Sequence, residues 1–212
     1  MTPTSPSDAM TSTRSVALTA TLGVAAACWL VAAQQMHGMD MGTETTLGSL
    51  PFFLGVWAAM MAAMMLPGAL PAVLTFTQAK GRAIAAPLFA ASYVAVWTLF
   101  GLGVYAVYQP HGAWLAGALT IAAGVYELTP LKRACRRRCR ENVRSGFQFG
   151  AYCVGSSVGL MVVLVALGVM SLPWMAVMAA LVLVQKLVPP RVLVDVPVAL
   201  ALVALGLVLF PL

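Results

Sequence analysis

The sequence predicts an all-α, polytopic membrane helix bundle of about seven transmembrane helices, N-terminus inside and C-terminus outside. Composition, the recurrence of apolar runs and the placement of the bases predict it together. Of 212 residues, 61% are hydrophobic and 8% are charged, against roughly a quarter charged in an ordinary soluble domain. So little polar surface cannot coat a water-soluble core, and a disordered chain would need the opposite composition. Apolar runs recur along the chain, each close to the roughly 20 residues that carry a helix across hydrocarbon. With Arg14 on the inside, strict alternation also puts Lys80, Arg82, Lys132, Arg133, Arg136, Arg137, Arg138, Arg140, Arg144, Lys186 and Arg191 inside, as the positive-inside rule requires. The outer loops hold His37, Asp40, Glu44 and His111 and no base. The +6 net charge therefore reads as a topology anchor touching anionic lipid headgroups. No aromatic platform or groove-reading element accompanies it, which argues against nucleic acid.

Residues 1–14 are rich in Ser, Thr and Pro and read as a disordered cytoplasmic tail. Residues 15–212 read as a single transmembrane helical domain. The first run, 15–35, has an apolar stretch over 16–33, longer than the roughly 7–15 residues of a signal-peptide core. It reads as a retained helix, with a cleaved signal ending near Ala32-Ala33-Gln34 as the alternative. The second run, 51–78, carries Pro67 and Pro71, each of which removes a backbone donor, so a kink or break is expected near 66–70. Runs 85–107 and 147–170 are of ordinary length. Runs 113–128 and 173–187 are short and fit a tilted or partly interfacial helix; 192–210 completes the set.

The fifth run contains Gly150, Gly155 and Gly159, with Gly146 directly before it, and Gly155-x3-Gly159 is a close-packing face for another helix. Its Ser156 and Ser157 do not make an intramembrane protease, because both histidines lie in outer loops and no base stands within the membrane. No acid, base and nucleophile share a depth, so no enzyme is expected. Glu127, at the inner end of the fourth run, is expected to contact an Arg or a ligand, or to snorkel into a salt bridge. Asp195 follows Arg191 by four residues and is expected to pair with it. Cys28 reads as a small hydrophobe.

Soft donors fall in three groups. Outside, Met36-His37-Gly38-Met39-Asp40-Met41 gathers three thioethers and an imidazole, suited to Cu(I). At mid-depth, Met60 and Met64, and likewise Met61 and Met65, stand four apart, so each pair shares a helix face. Packing alone is the plain alternative, since Met fills gaps and costs nothing in lipid. Inside, Cys135 and Cys139 are also four apart among arginines, which should favour thiolate. Cys153 lies about two turns into the following run, near enough to converge with them.

Two stretches carry a family likeness. One is Trp57-Ala58-Ala59-Met60-Met61-Ala62-Ala63-Met64-Met65-Leu66-Pro67, with Pro71 beyond. The other runs from Tyr126-Glu127-Leu128-Thr129-Pro130-Leu131-Lys132 through Cys135 and Cys139-Arg140. It continues into Gly150-Ala151-Tyr152-Cys153-Val154-Gly155, Leu160-Met161 and Gly168-Val169-Met170. Over residues 57–186 the chain resembles the bacterial family of predicted metal-binding integral membrane proteins. The resemblance implies a small multi-helix bundle in the cytoplasmic (inner) membrane and metal binding through cysteines and methionines. The chain is a divergent member: where the family carries two cysteines and a tryptophan, it has Ser156, Ser157 and Val158. Where a glutamate usually precedes the lysine, Gln185 precedes Lys186. Either a reduced site of Cys135, Cys139 and Cys153 persists, or the scaffold is kept without the metal.

Two functions follow as expectations. The first is handling of a soft ion, most simply Cu(I), bound or transferred across or within the membrane by sites of rising softness. The alternative is a non-catalytic structural or assembly subunit of a larger membrane complex, or a homo-oligomer. A solute transporter ranks below both, because only the second run is interrupted and seven helices do not halve.

Overall fold

The computed structural model describes residues 6–37, 47–82, 84–141, 144–168, 171–188 and 192–210. All regular structure among them is helical: α1 (Pro6–Met36), α2 (Leu50–Lys80), α3 (Ala85–Val107), α4 (Ala113–Glu127), α5 (Pro130–Glu141), α6 (Gly146–Gly168), α7 (Leu172–Leu187) and α8 (Val192–Leu209). Each apolar run of the sequence reappears as a helix. Four helices, Arg14–Met36, Leu50–Lys80, Ala85–Val107 and Gly146–Gly168, are long and apolar enough to cross a membrane. A fifth span arises if α4 and α5, which meet at 61°, are taken as one broken segment. Leu172–Leu187 and Val194–Leu209 are apolar but shorter.

Three expectations change. The tail is helical from Pro6, so disorder fails over residues 6–14. Pro6 stands at the helix start, where its missing N–H removes no bond, and nothing after it breaks the helix leading into the first span. Second, α2 runs from Leu50 to Lys80 as one helix through Pro67 and Pro71, so of the expected kink or break the break does not occur. Its middle is buried among apolar neighbours, where an opened helix would leave peptide groups without partners. Third, the basic segment is a helix of its own. Pro130 takes the first helical position, and the Thr129 hydroxyl accepts the Lys132 backbone N–H at 3.4 Å, a serviceable cap. α5 turns Lys132 and Arg136 inward and exposes Arg137, Arg138 and Arg140.

α1, α3 and α7 pack around α2, while α3, α4, α5 and α7 pack around α6 and α8 lies on α4. Small residues set the tightest approaches. α1 presents Ala17, Thr21, Ala25 and Ala32 as its buried stripe. Between α4 and α8, a Cβ on Gly117 would stand 2.8 Å from the Gly206 carbonyl, and one on Gly206 would stand 2.8 Å from the Gly117 carbonyl. The two backbones touch where a side chain would hold them apart. The glycines of α6 are spent inside the chain: Gly150 abuts Val96 of α3, Gly155 faces Cys135 Sγ of α5, and Gly159 faces Tyr126 and Glu127 of α4.

Candidate metal centre

Met60, Met61, Met64 and Met65 all lie in the interior. α2 is enclosed on several sides, so both Met-x3-Met pairs point into protein and neither faces lipid. Met36, Met161, Met175 and Met178 are buried in the same core. The last three carried no spacing signal in the sequence.

The centre forms where α2, α3, α6 and α7 meet. Tyr93 of α3 places its hydroxyl 3.0 Å from Cys153 Sγ of α6. Lys186 of α7 donates to that hydroxyl at 3.0 Å and reaches Met65 Sδ of α2 at 3.9 Å. Its ammonium also lies 5.5 Å from the Tyr93 ring centroid and 6.0 Å from that of Phe149, within cation–π range. A thioether and a phenol from two helices thus meet one ammonium, and the phenol in turn touches a thiol on a third helix. Neither Tyr93 nor Lys186 is among the candidate site residues of the sequence, which marks Lys186 as a base of the inner side and as the lysine of the family likeness.

Cys139 of α5 lies in the wall of the cavity that Lys186 also lines. Cys153, Lys186 and Ser156 are close enough to act on its thiol. We read α5 as lying outside the spanning segments. The arginines beside Cys139 were expected to favour thiolate, and the structure reverses this: burial pushes its pKa up to about 12, with Cys153 adding to the rise and Lys186 opposing it. The guanidinium groups of Arg137, Arg138 and Arg140 point to the exposed side, while the sulfur turns inward. Cys135 packs its sulfur against Gly155, on the same face of α5 but one turn earlier.

A cavity of about 470 Å³ opens beside these residues, lined in part by Gly68, Cys139, Ser156, Ser157, Gln185 and Lys186. Ser156 and Ser157, which stand where the family likeness places thiols, are both buried. The Ser156 hydroxyl donates to the Cys153 carbonyl at 2.9 Å.

A buried ionic lattice fixes α5, which forms part of the wall of this cavity. Glu127 pairs with Lys132, and both side chains are wholly buried, so the expected snorkelling does not occur. Gln185 joins them, accepting from Lys132 at 3.0 Å and donating to Glu127 at 2.7 Å. Burial lowers the Lys132 pKa, against the pull of Glu127. Arg136 binds Asp195 of α8 and the Gln185 carbonyl of α7. Asp195 therefore takes Arg136 as partner; Arg191, expected from spacing, lies outside the described residues. A guanidinium reaches across helices that sequence distance separates, because a buried carboxylate needs a buried cation.

Of the outer group only Met36 and His37 fall among the described residues. Met36 is buried while His37 is exposed, so they face apart. Met39 and Met41 lie outside the described residues. Among the described residues no set of three or more His, Cys, Asp or Glu side chains is grouped to hold a metal. Three sulfur donors share neighbours here: Met65 touches Lys186, Cys153 touches Tyr93, and Cys139 lines the cavity beside Lys186; sulfur donors suit a soft monovalent ion.

A family model described as PpoB2, copper chaperone, matches residues 54–209. No curated protein and no solved structure matches the chain.

Proposed function

The chain belongs to the PpoB2 copper chaperone family, and on that premise we propose that it binds Cu(I) within the membrane and passes it on. One observation carries the reading: Met65 of α2 and Cys153 of α6 reach the same Lys186–Tyr93 pair, and Cys139 of α5 lines the cavity that Lys186 also lines. Thioether and thiol sulfur bind Cu(I) well and release it readily to a softer or better-arranged acceptor, as a carrier requires. The buried Met60, Met61 and Met64 extend the sulfur-rich interior along α2. In this reading copper is cargo, and the chain performs no catalysis. The shorter helices α4, α7 and α8 join the long ones as spans of a seven-helix bundle in the bacterial cytoplasmic membrane. α5 then lies at the inner face, its exposed arginines against anionic headgroups. The inner thiols and the cavity face the same side.

The test is metal binding by the purified protein in detergent, with cysteines kept reduced. Cu(I) or Ag(I) should bind, and the pair Met61→Leu/Met65→Leu, or Cys139→Ser/Cys153→Ser, should weaken binding by tenfold or more. Absence of binding would remove the reading. The assembly-subunit alternative loses one support, because the Gly155 and Gly159 face that would dock a partner is filled by α5 and α4 of the same chain.

A further inference from the structure

Lys186 is an odd tenant for a soft-metal position. Among the described residues no carboxylate pairs with it, since the ion pairs present join Lys132 to Glu127 and Arg136 to Asp195. Its ammonium is held instead by a thioether sulfur, a phenol oxygen and two aromatic faces. All of these are neutral, polarisable donors, the kind that also receive a soft monovalent cation. A second feature shows that the pose is built. The lysine stem lies across Gly68 of α2, where an added Cβ would stand 2.5 Å from Lys186 Cδ. Gly68 is buried in the middle of a helix, where glycine weakens the helix and has no turn to serve. Its absent side chain is the slot in which the lysine rests.

We propose that Lys186 is a tethered cation that fills the Cu(I) position of the empty protein and swings into the adjoining cavity when the metal arrives. This rests on the copper reading above. Both cations carry one positive charge, so Cu(I) on the neutral Met65 and Tyr93 donors replaces the lysine's charge one for one. Holding both there would place two like charges within a few ångströms in a low-dielectric interior. When Cys153 joins as thiolate, the Sγ–H bond breaks, the proton passes to solvent water, and a Cu–S bond forms without change of oxidation state, which leaves the loaded site neutral. The cavity already includes Lys186 in its wall, so the side chain can move aside by rotation of its own stem. The device keeps the sulfur site from standing open to other cations, and it lowers affinity to a level from which copper can be handed on.

Two variants and one labelling measurement test this, with Ag(I) as a redox-inert probe on the full chain in detergent. Lys186→Met removes the tenant, and Gly68→Ala obstructs its slot while leaving the lysine in the chain. Both should bind Ag(I) about tenfold or more tightly than the parent. In the parent, Ag(I) should raise the reaction of Lys186 with an acylating reagent, read by peptide mass spectrometry, while Lys132, locked to Glu127, stays unreactive. If the parent binds Ag(I) but neither variant binds it more tightly and Lys186 labelling is unmoved, the tethered-cation proposal falls and the copper reading stands. If neither the parent nor either variant binds Ag(I), both fall together. Should Lys186→Met not fold, Gly68→Ala and the labelling decide.

Discussion

Arg136 of α5 is paired with Asp195 of α8, 59 residues away in the chain, and both side chains are buried. The same guanidinium holds the Gln185 carbonyl at the end of α7. Removing one partner leaves the other as an uncompensated interior charge. Asp195→Ala should cost about 3–5 kcal/mol, the range for breaking a buried pair. Replacing both partners, as in Arg136→Met/Asp195→Leu, should recover most of that loss. Thermal unfolding in detergent checks the pair of results; equal losses in the single and double variants would refute the assignment.

Gln185 bridges Lys132 and Glu127 by using both ends of its amide. Gln185→Glu can still accept from Lys132, but it sets a second carboxylate against Glu127 and removes the donor that Glu127 uses. The expected loss is about 1–3 kcal/mol, the cost of an unsatisfied buried polar group. A melting temperature equal to the parent's would show that the bridge does not matter.

Trp57 of α2 donates its indole N–H to the Trp97 carbonyl of α3 at 2.8 Å, and its ring lies flat over Gly101. A Cβ at Gly101 would collide with that ring, which is rigid and held at its nitrogen. Gly101→Ala should therefore destabilise by about 1–3 kcal/mol, as overpacking does. Gly103, two residues on, has nothing within 4 Å of an added Cβ. Gly103→Ala should instead stabilise by about 0.5–1 kcal/mol through helix propensity. Unfolding of the two variants side by side reads the contrast.

Ser156 and Ser157 are buried beside Cys139. Exchanging an oxygen for a sulfur adds a soft donor with little change in shape. Ser156→Cys/Ser157→Cys should tighten Ag(I) binding by tenfold or more without lowering the melting temperature by more than a few degrees. Unchanged affinity would mean that the cavity wall takes no part in holding the ion.

The helices were legible because apolar run length is a local property, and α2 to α4 and α6 to α8 fall close to the runs read from sequence. The inward direction of Met60, Met61, Met64 and Met65 was not legible. α2 is apolar around its whole circumference, so no polar face tells which side meets protein. Lys132 and Arg136 were hidden by their neighbours, since a run of bases looks uniform until the helix sorts it into buried and exposed sides. Tyr93 and Lys186 were missed for a related reason. Each acts through residues on other helices, at 60 and 93 residues' separation for the contacts that matter, and no spacing rule spans such distances.

The backbone contact of Gly117 with Gly206 has a consequence for how the molecule is made. α4 leaves the ribosome some eighty residues before its companion α8, yet its glycine face matches only that late arrival. Until then the nascent chain holds a bare groove along α4 and an Arg136 awaiting its carboxylate. α8 therefore closes the α4 face only after α5, α6 and α7 have been made.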